Sequence, residues 1–397
     1  MATITFARMT ITLDRAPAAA LTEALHEIPR PRLGDRPRRA FVAKAFASTF
    51  GRLENQLCDP GGLPTHGIHR VLVCRPNHRL GNTVLISPLI AEIEALYPGA
   101  QIDLVGSEAA ASLYSPRFSV HRLFVLSRRI ARHPVASAGL LRDLRSERYD
   151  LAIDPCDGSQ SGRLVLALAK ARFKIGFPDR LANPFSAWHR RVWPQHLAHR
   201  GVFLLRTAYA GTTSPGYPPL DMGLSLHERT EASAVLARLR GSPCGTGHGL
   251  VGIFTNATGA KRFGQAWWNE FIPTFERLAP GVQLVDLVAA HGRSDLAGRF
   301  PSFYTQNIRR LGALIAGLDG FISADCGVMH LAAASGTPTL GLFSTTDPGK
   351  YAPYGEHHGF VRTREMDVAG VASKAAAWFA SARSSRAACA AESRVDP

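Results

Sequence analysis

The stretch 321–355 constrains the fold of this chain more than any other part of the sequence. A short apolar run ends at Asp325, and the alanine-rich residues 328–334 continue as a predicted helix. A strand, a turn with glycine and a helix bring backbone N–H groups and the positive end of a helix dipole to one point. A second predicted strand, 339–343, leads into the polar loop 344–349. Because loops after neighbouring parallel strands meet at one edge of the sheet, the sequence predicts an anion site suited to a diphosphate.

The length of the chain, 397 residues, indicates two domains rather than one core. No apolar run reaches the roughly 20 residues of a membrane-spanning helix. The first residues also lack the basic start and apolar centre of a secretory signal. The six cysteines are scattered without ligand-like spacing, so we expect no disulfide framework and no zinc site. These properties predict a cytoplasmic protein that holds no metal.

Positive charge is concentrated in the middle of the sequence. The formal net charge is +15, and residues 68–225 contribute +9 of it, from twenty Lys and Arg against eleven Asp and Glu. The partner of this segment is therefore expected to be anionic. A phosphorylated glycan, an acidic membrane surface and a nucleic acid all match the charge, but no basic and aromatic recognition motif supports nucleic acid.

Four segments follow one another along the chain. Residues 1–67 form a basic extension, in which 41–52 have the spacing of an amphipathic helix that either packs on the next domain or lies on anionic lipid. Strands and helices alternate through 68–225 and again through 226–365, which predicts two α/β domains with parallel sheets. Residues 366–397 are expected to form a terminal helix and tail.

Two details of this organisation are less regular. The helix predicted at 83–96 contains Pro88, which marks either its start or a kink. The segment 180–225 has weak periodicity and several Pro and Trp residues, so we place the crossing between the two domains there.

Three stretches, in this order, resemble the glycosyltransferase family that contains the lipopolysaccharide heptosyltransferases, family 9. The resemblance covers residues 68–365. The stretches are the loop and helix 80–98, the segment 256–268 with Lys261, and the stretch 321–355 with its Asp-x-Gly-x-x-His core at Asp325, Gly327 and His330.

The resemblance implies the GT-B architecture, in which two Rossmann-like domains face each other. In such enzymes the N-terminal domain holds the acceptor and the C-terminal domain holds the nucleotide-sugar, without a metal ion. It further implies inverting transfer of a sugar, heptose from ADP-heptose, to an anionic glycan or glycolipid such as a lipopolysaccharide core. We expect this reaction in the cytoplasm, with peripheral contact to the inner face of the cytoplasmic membrane.

The resemblance also assigns residues to the donor. Lys261 matches a lysine that contacts the donor phosphate, and a site without metal needs such a cation to neutralise the departing diphosphate. Asp325 matches a residue beside the donor sugar, and it is also placed to cap the following helix. His330 faces either the donor or the core, and Cys326 is not expected to act as a nucleophile. The predicted donor contacts are Lys261, Asp325, Cys326, Gly327, His330, Thr346 and Gln306.

An unusual residue occupies the expected catalytic position on the acceptor side. Inverting transfer needs a base that removes the proton of the acceptor hydroxyl, and the family carries Asp where this chain has Asn82. Three interpretations stay open. Asp154 or Asp157 serves as the base, or Asn82 only orients the hydroxyl in a reaction with weak base assistance, or the chain binds the nucleotide-sugar without turnover. We assign catalytic roles to Asn82, Asp154 and Asp325.

The N-terminal domain also offers cations for an anionic acceptor. Arg75 and Arg79 follow its first predicted strand, and Arg163 and Lys174 lie further along. Guanidinium groups match the geometry of phosphate and carboxylate. We therefore predict that these four side chains bind the acceptor.

Overall fold

The structure is a computed structural model, and it describes residues 3–6, 9–12, 46–126, 139, 142–179, 183–214, 216–240 and 249–392. The chain divides into two compact units, residues 1–47 and 48–397. In the first unit, β1 (Thr3–Phe6) pairs antiparallel with β2 (Met9–Thr12). Most of the predicted basic extension lies outside the described residues, as does the start of its amphipathic helix. None of the described helices is long and apolar enough to cross a lipid bilayer.

The first half of the second unit is an α/β domain. Its elements in chain order are α1 (Ala47–Glu54), β3 (Arg70–Cys74), α2 (Leu80–Val84), α3 (Ser87–Leu96), β4 (Gln101–Gly106), α4 (Glu108–Tyr114), β5 (Val120–Val125), β6 (Tyr149–Asp154), α5 (Gln160–Leu168), β7 (Ala171–Gly176) and α6 (Leu197–Ala210). The five strands are parallel, in the order β5-β4-β3-β6-β7. Along β3, Val71 and Val73 face one buried cluster and Leu72 and Cys74 face another. This alternation places the sheet between two helical layers.

The second half is another α/β domain. Its elements are α7 (Leu226–Leu239), β8 (Leu250–Phe254), α8 (Gln265–Leu278), β9 (Gln283–Val288), β10 (Ser302–Tyr304), α9 (Ile308–Ala316), β11 (Gly320–Ala324), α10 (Gly327–Ala334), β12 (Thr339–Phe343), α11 (Pro348–Tyr351), β13 (Gly359–Arg362) and α12 (Val368–Glu392). Six parallel strands follow the order β10-β9-β8-β11-β12-β13. The central strands β8 and β11 are fully buried. Both sheets thus have the doubly wound form in which ligands bind at the carboxyl ends of the strands.

Three local features differ from the expectations drawn from sequence. The helix α6 occupies part of 180–225, where we expected only a crossing, and it packs on α3 within the first domain. The helix predicted at 83–96 is divided into α2 and α3, because Pro88 lacks an N–H and fits the first turn of α3. Strand β7 was not predicted from the sequence, because Arg172 and Lys174 interrupt its apolar pattern.

The two domains are joined by close packing of α2 on α10. A Cβ atom added to Gly81 would lie 2.7 Å from Cδ2 of His330, and one added to Gly327 would lie 2.9 Å from Cβ of Leu80. Both positions therefore need glycine for the helices to approach this closely. Leu331 belongs to the same buried apolar cluster as the core of the first domain, so the contact is continuous with that core.

A buried arginine ties the crossing segment to both domains. Arg309, at the start of α9, is 8% exposed and donates hydrogen bonds to the carbonyl oxygens of Leu113, Met222 and Gly223. Its Nε also lies 2.5 Å from Oε1 of Glu228. The hydrogen bonds from Arg309 lower the pKa of Glu228 to about 2, so the carboxylate compensates the buried guanidinium at neutral pH.

Candidate active site

Three side chains from the carboxyl ends of different strands meet at one point, and we call them the lysine cluster: Lys261, Asp325 and Thr346. Lys261 follows β8 in a short 3-10 turn, Asp325 follows β11, and Thr346 lies in the loop after β12. Nζ of Lys261 and Oγ1 of Thr346 both donate to Oδ2 of Asp325, each at 2.5 Å. Asp325 is 3% exposed, so its charge is balanced by the lysine and held in one orientation. The structure thus brings three predicted donor contacts together.

The lysine cluster lies beside the N-terminus of α10. Cys326 is the residue before the helix, with extended backbone angles, and the N–H groups of the first turn follow it. Burial raises the pKa of the Cys326 thiol, and its Sγ lies 3.3 Å from Oγ of Ser323. The thiol is therefore protonated at neutral pH and does not act as a nucleophile. A cation and a helix N-terminus together form a site for an anion such as a diphosphate.

Two further predicted donor residues lie where α10 contacts α2. Gly327 provides the space that Leu80 fills, so its lack of a side chain serves the contact between the domains. His330 is 3% exposed, and within the described part of the chain its Nδ1 has no hydrogen-bond partner. Burial lowers the pKa of His330 to about 4, partly offset by Asp325. The imidazole is therefore neutral at pH 7, buried between the domains and adjacent to the cluster.

Gln306 lies apart from the lysine cluster, on the loop after β10. Its Nε2 donates to the hydroxyl of Tyr304 at 2.9 Å, and that hydroxyl donates to the carbonyl oxygen of Ala290 at 3.2 Å. The ring of Tyr304 remains 47% exposed. Tyr304 was not predicted from the sequence, although an aromatic residue two positions before Gln306 is a signal for a surface on which a ring can stack.

A cavity on the first domain contains Asn82, and we call it the Asn82 cavity. Its polar lining consists of Arg75, Asn82, Asp157 and Arg200, and α3 and α6 supply apolar lining. Oδ2 of Asp157 lies 3.6 Å from Nη1 of Arg200. Arg75 and Asn82 were predicted as site residues, and Asp157 was one of the two candidate bases. Arg200 was missed because the helix that carries it, α6, was itself not predicted.

The two carboxylates considered as bases have different surroundings. Asp154 is 4% exposed and its Oδ1 accepts a hydrogen bond from the N–H of Cys156. A Cβ atom added to Gly162 would lie 2.8 Å from both of its oxygens, so α5 covers this carboxyl group. Burial raises the pKa of Asp154 to about 8. Asp157, by contrast, lines the Asn82 cavity and its side chain is 44% exposed.

Tyr351 links the Asn82 cavity to the lysine cluster. Nζ of Lys261 lies 5.6 Å from the centre of the Tyr351 ring, within the range of a cation–π contact. Burial and then Asp325 raise the pKa of Tyr351, whereas Arg79 and Arg75 lower it. The phenol therefore lies in the field of charged groups from both domains.

A second bridge between the domains lies nearby. Nε2 of Gln195 donates to Oδ2 of Asp347 at 2.6 Å, and Nε2 of His196 donates to the carbonyl oxygen of Ala352 at 2.8 Å. The lysine cluster and the Asn82 cavity thus lie at the same boundary between the two domains, which we call the cleft.

Two predicted acceptor contacts have structural roles. Lys174 is 6% exposed, and its Nζ donates to Oε1 of Gln56 at 3.0 Å and to the carbonyl oxygen of Ala167 at 3.1 Å. Arg163 donates to the carbonyl oxygen of Phe177 at 3.1 Å and pairs with the buried Glu54. Both side chains connect α5 and the residues at the end of α1 to the sheet, and neither of them lines the Asn82 cavity. Their assignment to the acceptor stays a prediction that these contacts do not favour. Their burial was not visible in a sequence where they stand among exposed cations.

Among the described residues, no group of three or more His, Cys, Asp and Glu side chains is arranged to hold a metal ion.

Two parallel α/β domains with a shared cleft at their strand ends define the GT-B class of proteins. The sequence model of glycosyltransferase family 9 (heptosyltransferase) matches residues 138–374, more than half of the chain. This chain therefore belongs to glycosyltransferase family 9 and is a glycosyltransferase. The family resemblance and the fold class expected from the sequence are confirmed.

Individual relatives agree with this assignment. Lipopolysaccharide heptosyltransferase 1 of Escherichia coli K12 is 23% identical over 77% of this chain and 97% of its own length. The lipopolysaccharide core heptosyltransferase OpsX of Haemophilus influenzae is 37% identical over 58% of this chain and 67% of its own length. The solved structures of E. coli heptosyltransferase WaaC with ADP and with ADP-2-deoxy-2-fluoro heptose each match this chain with a TM-score of 0.57 and 22% identity. Each match covers 79% of this chain and 99% of the WaaC chain. These comparisons give no support to binding without turnover.

Proposed function

We propose that this chain transfers heptose from ADP-heptose, with inversion and without a metal ion, onto an anionic lipopolysaccharide core. The observation that carries the proposal is the lysine cluster at the N-terminus of α10, across one cleft from the Asn82 cavity. The named activities of the similar proteins support heptose and lipopolysaccharide. The donor analogue in the WaaC structure supports ADP as the leaving nucleotide.

The lysine cluster fits the departure of a nucleoside diphosphate. Negative charge develops on the diphosphate as the bond to the sugar breaks, and preorganised cations and N–H groups stabilise it without reorganising. Lys261 is held in place by its hydrogen bond to Asp325, and its side chain is 29% exposed. The first-turn N–H groups of α10 supply the remaining donors. These groups take the place that a divalent ion has in other transferases.

Deprotonation of the acceptor is assigned to Asp157. The carboxyl group of Asp154 is covered by α5 and bonded to the backbone, so it does not reach an acceptor in the cleft. Asp157 lines the same cavity as Asn82 and has Arg200 as a neighbour. We infer that Asn82 orients the acceptor hydroxyl, Asp157 removes its proton, and Arg75 and Arg79 attract the anionic groups of the acceptor.

Transfer assays test this function directly. Purified protein is mixed with ADP-heptose and a deacylated, water-soluble lipopolysaccharide core acceptor in excess EDTA, and ADP release and product are followed together. The expected result is stoichiometric ADP and glycan product that is unaffected by EDTA, with an anomeric configuration opposite to that of the donor. Retained configuration would exclude inversion, loss of activity in EDTA would exclude the metal-free mechanism, and absence of transfer would exclude the proposed reaction.

A further inference from the structure

Three large apolar side chains in the described residues are more than 90% exposed: Phe118, Phe185 and Val192. Phe185 and Val192 belong to one segment, residues 183–193, which we call the 183–193 segment. Phe118 lies elsewhere, just before the first residue of β5. Two exposed apolar side chains in one short segment indicate an interaction surface rather than the scattered apolar exposure found on any protein.

The 183–193 segment is firmly anchored although its apolar ends are exposed. Trp188 is 1% exposed, and its Nε1 donates to the carbonyl oxygen of Cys58 at 3.0 Å. The ring of Trp193 packs on Phe177 with 4.6 Å between the centroids. A 3-10 helix, Ala187–Arg190, joins these anchors. The exposure of Phe185 and Val192 is therefore imposed by a fixed local fold, in which Trp188 is buried, Trp193 is partly buried and the neighbouring apolar side chains are left outside.

The charge around this segment identifies its partner. Residues 180–220 contain five arginines and no Asp or Glu, but Arg200 and Arg206 pair with Asp157 and Glu92 of other segments, which leaves Arg190 and Arg191 as the cations of this segment. Arg190 and Arg191 lie between the two exposed apolar side chains, and Arg190 is itself exposed. Apolar side chains interleaved with arginines match the headgroup region of an anionic bilayer, where rings enter the acyl boundary and guanidinium groups contact phosphates.

The segment also leads directly into the cleft. Two residues after it, Gln195 donates to Asp347 of the second domain. The helix α6 then begins, and its first turns line the Asn82 cavity with Arg200. A surface that contacts lipid at 183–193 would therefore hold the Asn82 cavity close to a glycolipid acceptor.

We propose that the 183–193 segment docks on the surface of an anionic lipid bilayer through Phe185, Val192, Arg190 and Arg191. The proposal rests on the proposed function, since an acceptor that is linked to lipid is located in a membrane. From the sequence, the candidate for membrane contact was the amphipathic helix predicted at residues 41–52. Binding at the 183–193 segment does not require that helix.

Vesicle sedimentation tests the proposal with the full-length protein. The vesicles are phosphatidylcholine with or without phosphatidylglycerol. We expect binding only to the anionic vesicles. The double substitution Phe185→Ser with Val192→Ser should weaken it by about tenfold or more, because two buried apolar side chains are lost. Arg190→Gln with Arg191→Gln should weaken it and reduce its dependence on salt.

Phe118→Ser is the matched control, since it removes an equally exposed ring outside the segment. It should change vesicle binding by less than about twofold. Equal losses from Phe118→Ser and from the Phe185 and Val192 pair would overturn the proposal. Unchanged binding by the Phe185→Ser, Val192→Ser variant would also overturn the proposal, because the contact would then lie elsewhere. Failure of the unmodified protein to bind anionic vesicles would overturn it as well.

Transfer to the water-soluble acceptor separates this proposal from the proposed function. The Phe185 and Val192 variant should transfer heptose to that acceptor at the unmodified rate, which also shows that it is folded. A protein that binds vesicles as expected but transfers no heptose would contradict the proposed function alone. A protein that transfers heptose but binds no vesicle would contradict the docking surface alone.

Discussion

On one side of the cleft, Asp325 is 3% exposed and bonded to both Lys261 and Thr346. On the other side, the side chain of Asp157 is 44% exposed and lies 3.6 Å from Arg200. The first arrangement is preorganised, with each charge matched before a ligand arrives. The second leaves the carboxylate of Asp157 open to solvent, although the Arg200 side chain is only 19% exposed. This difference matches the ligands we propose, because a diphosphate is compact, whereas a glycan acceptor is larger.

The largest effect should come from removing the cation of the lysine cluster. Lys261→Met should lower kcat/KM by about 10³-fold, because the leaving diphosphate loses its main positive charge. Arg262→Met is the matched control, since Arg262 is adjacent but pairs with Asp295 at 2.7 Å. It should cost less than about fivefold, as expected for a half-exposed ion pair. Steady-state kinetics of ADP release measures both. Similar losses would show that the cluster has no special role.

The Asn82 cavity should respond to loss of its carboxylate. Asp157→Asn should lower kcat by about 10²-fold, because the base is removed. Asn82→Asp added to that variant should restore part of the rate, since a carboxylate returns to the same cavity. Asp154→Asn, a substitution outside the cavity, should keep kcat within about tenfold of the unmodified rate. A larger loss from Asp154→Asn than from Asp157→Asn would reverse the assignment.

The contact between the two sides of the cleft can be strained without changing any charge. Gly81→Ala should lower the free energy of unfolding by about 2 kcal/mol, because its Cβ would meet His330. Gly51→Ala, where nothing lies within 4 Å of the added Cβ, should leave stability unchanged or raise it by up to about 1 kcal/mol. Urea unfolding of both variants makes the comparison. Equal midpoints would mean that α2 and α10 are not in tight contact in solution.

The smallest effect concerns acid sensitivity at the same contact. Burial lowers the pKa of His330 to about 4, from an ordinary value of 6.5. Between these values the unfolded chain binds a proton that the folded chain does not, so stability falls as the pH decreases, by up to about 1.4 kcal/mol per pH unit. His330→Asn should reduce this slope but not remove it, because burial also lowers the pKa of His199 and the pKa of His358 to about 4. His227→Asn, at an exposed position of α7, should leave it intact, and an unaltered slope in His330→Asn would contradict the assignment.

The sequence by itself determined the class of fold and much of the lysine cluster. Alternating apolar runs and helices specify parallel sheets, and in such sheets the residues after neighbouring strands meet at one edge. Lys261, Asp325 and Thr346 each follow a strand, so their proximity could be read from the chain. The family motif around Asp325 and Gly327 supplied the remaining information.

Only the tertiary structure decided which charges face the cleft. Asp154 and Asp157 are three positions apart in the sequence, yet α5 covers the first and leaves the second in the Asn82 cavity. Lys174 is buried and bonded to Gln56, just after α1, a contact between residues far apart in sequence that no local pattern encodes. Side-chain exposure depends on how separate elements pack, and the pairing of Gly81 with His330 likewise exists only where two domains close on each other.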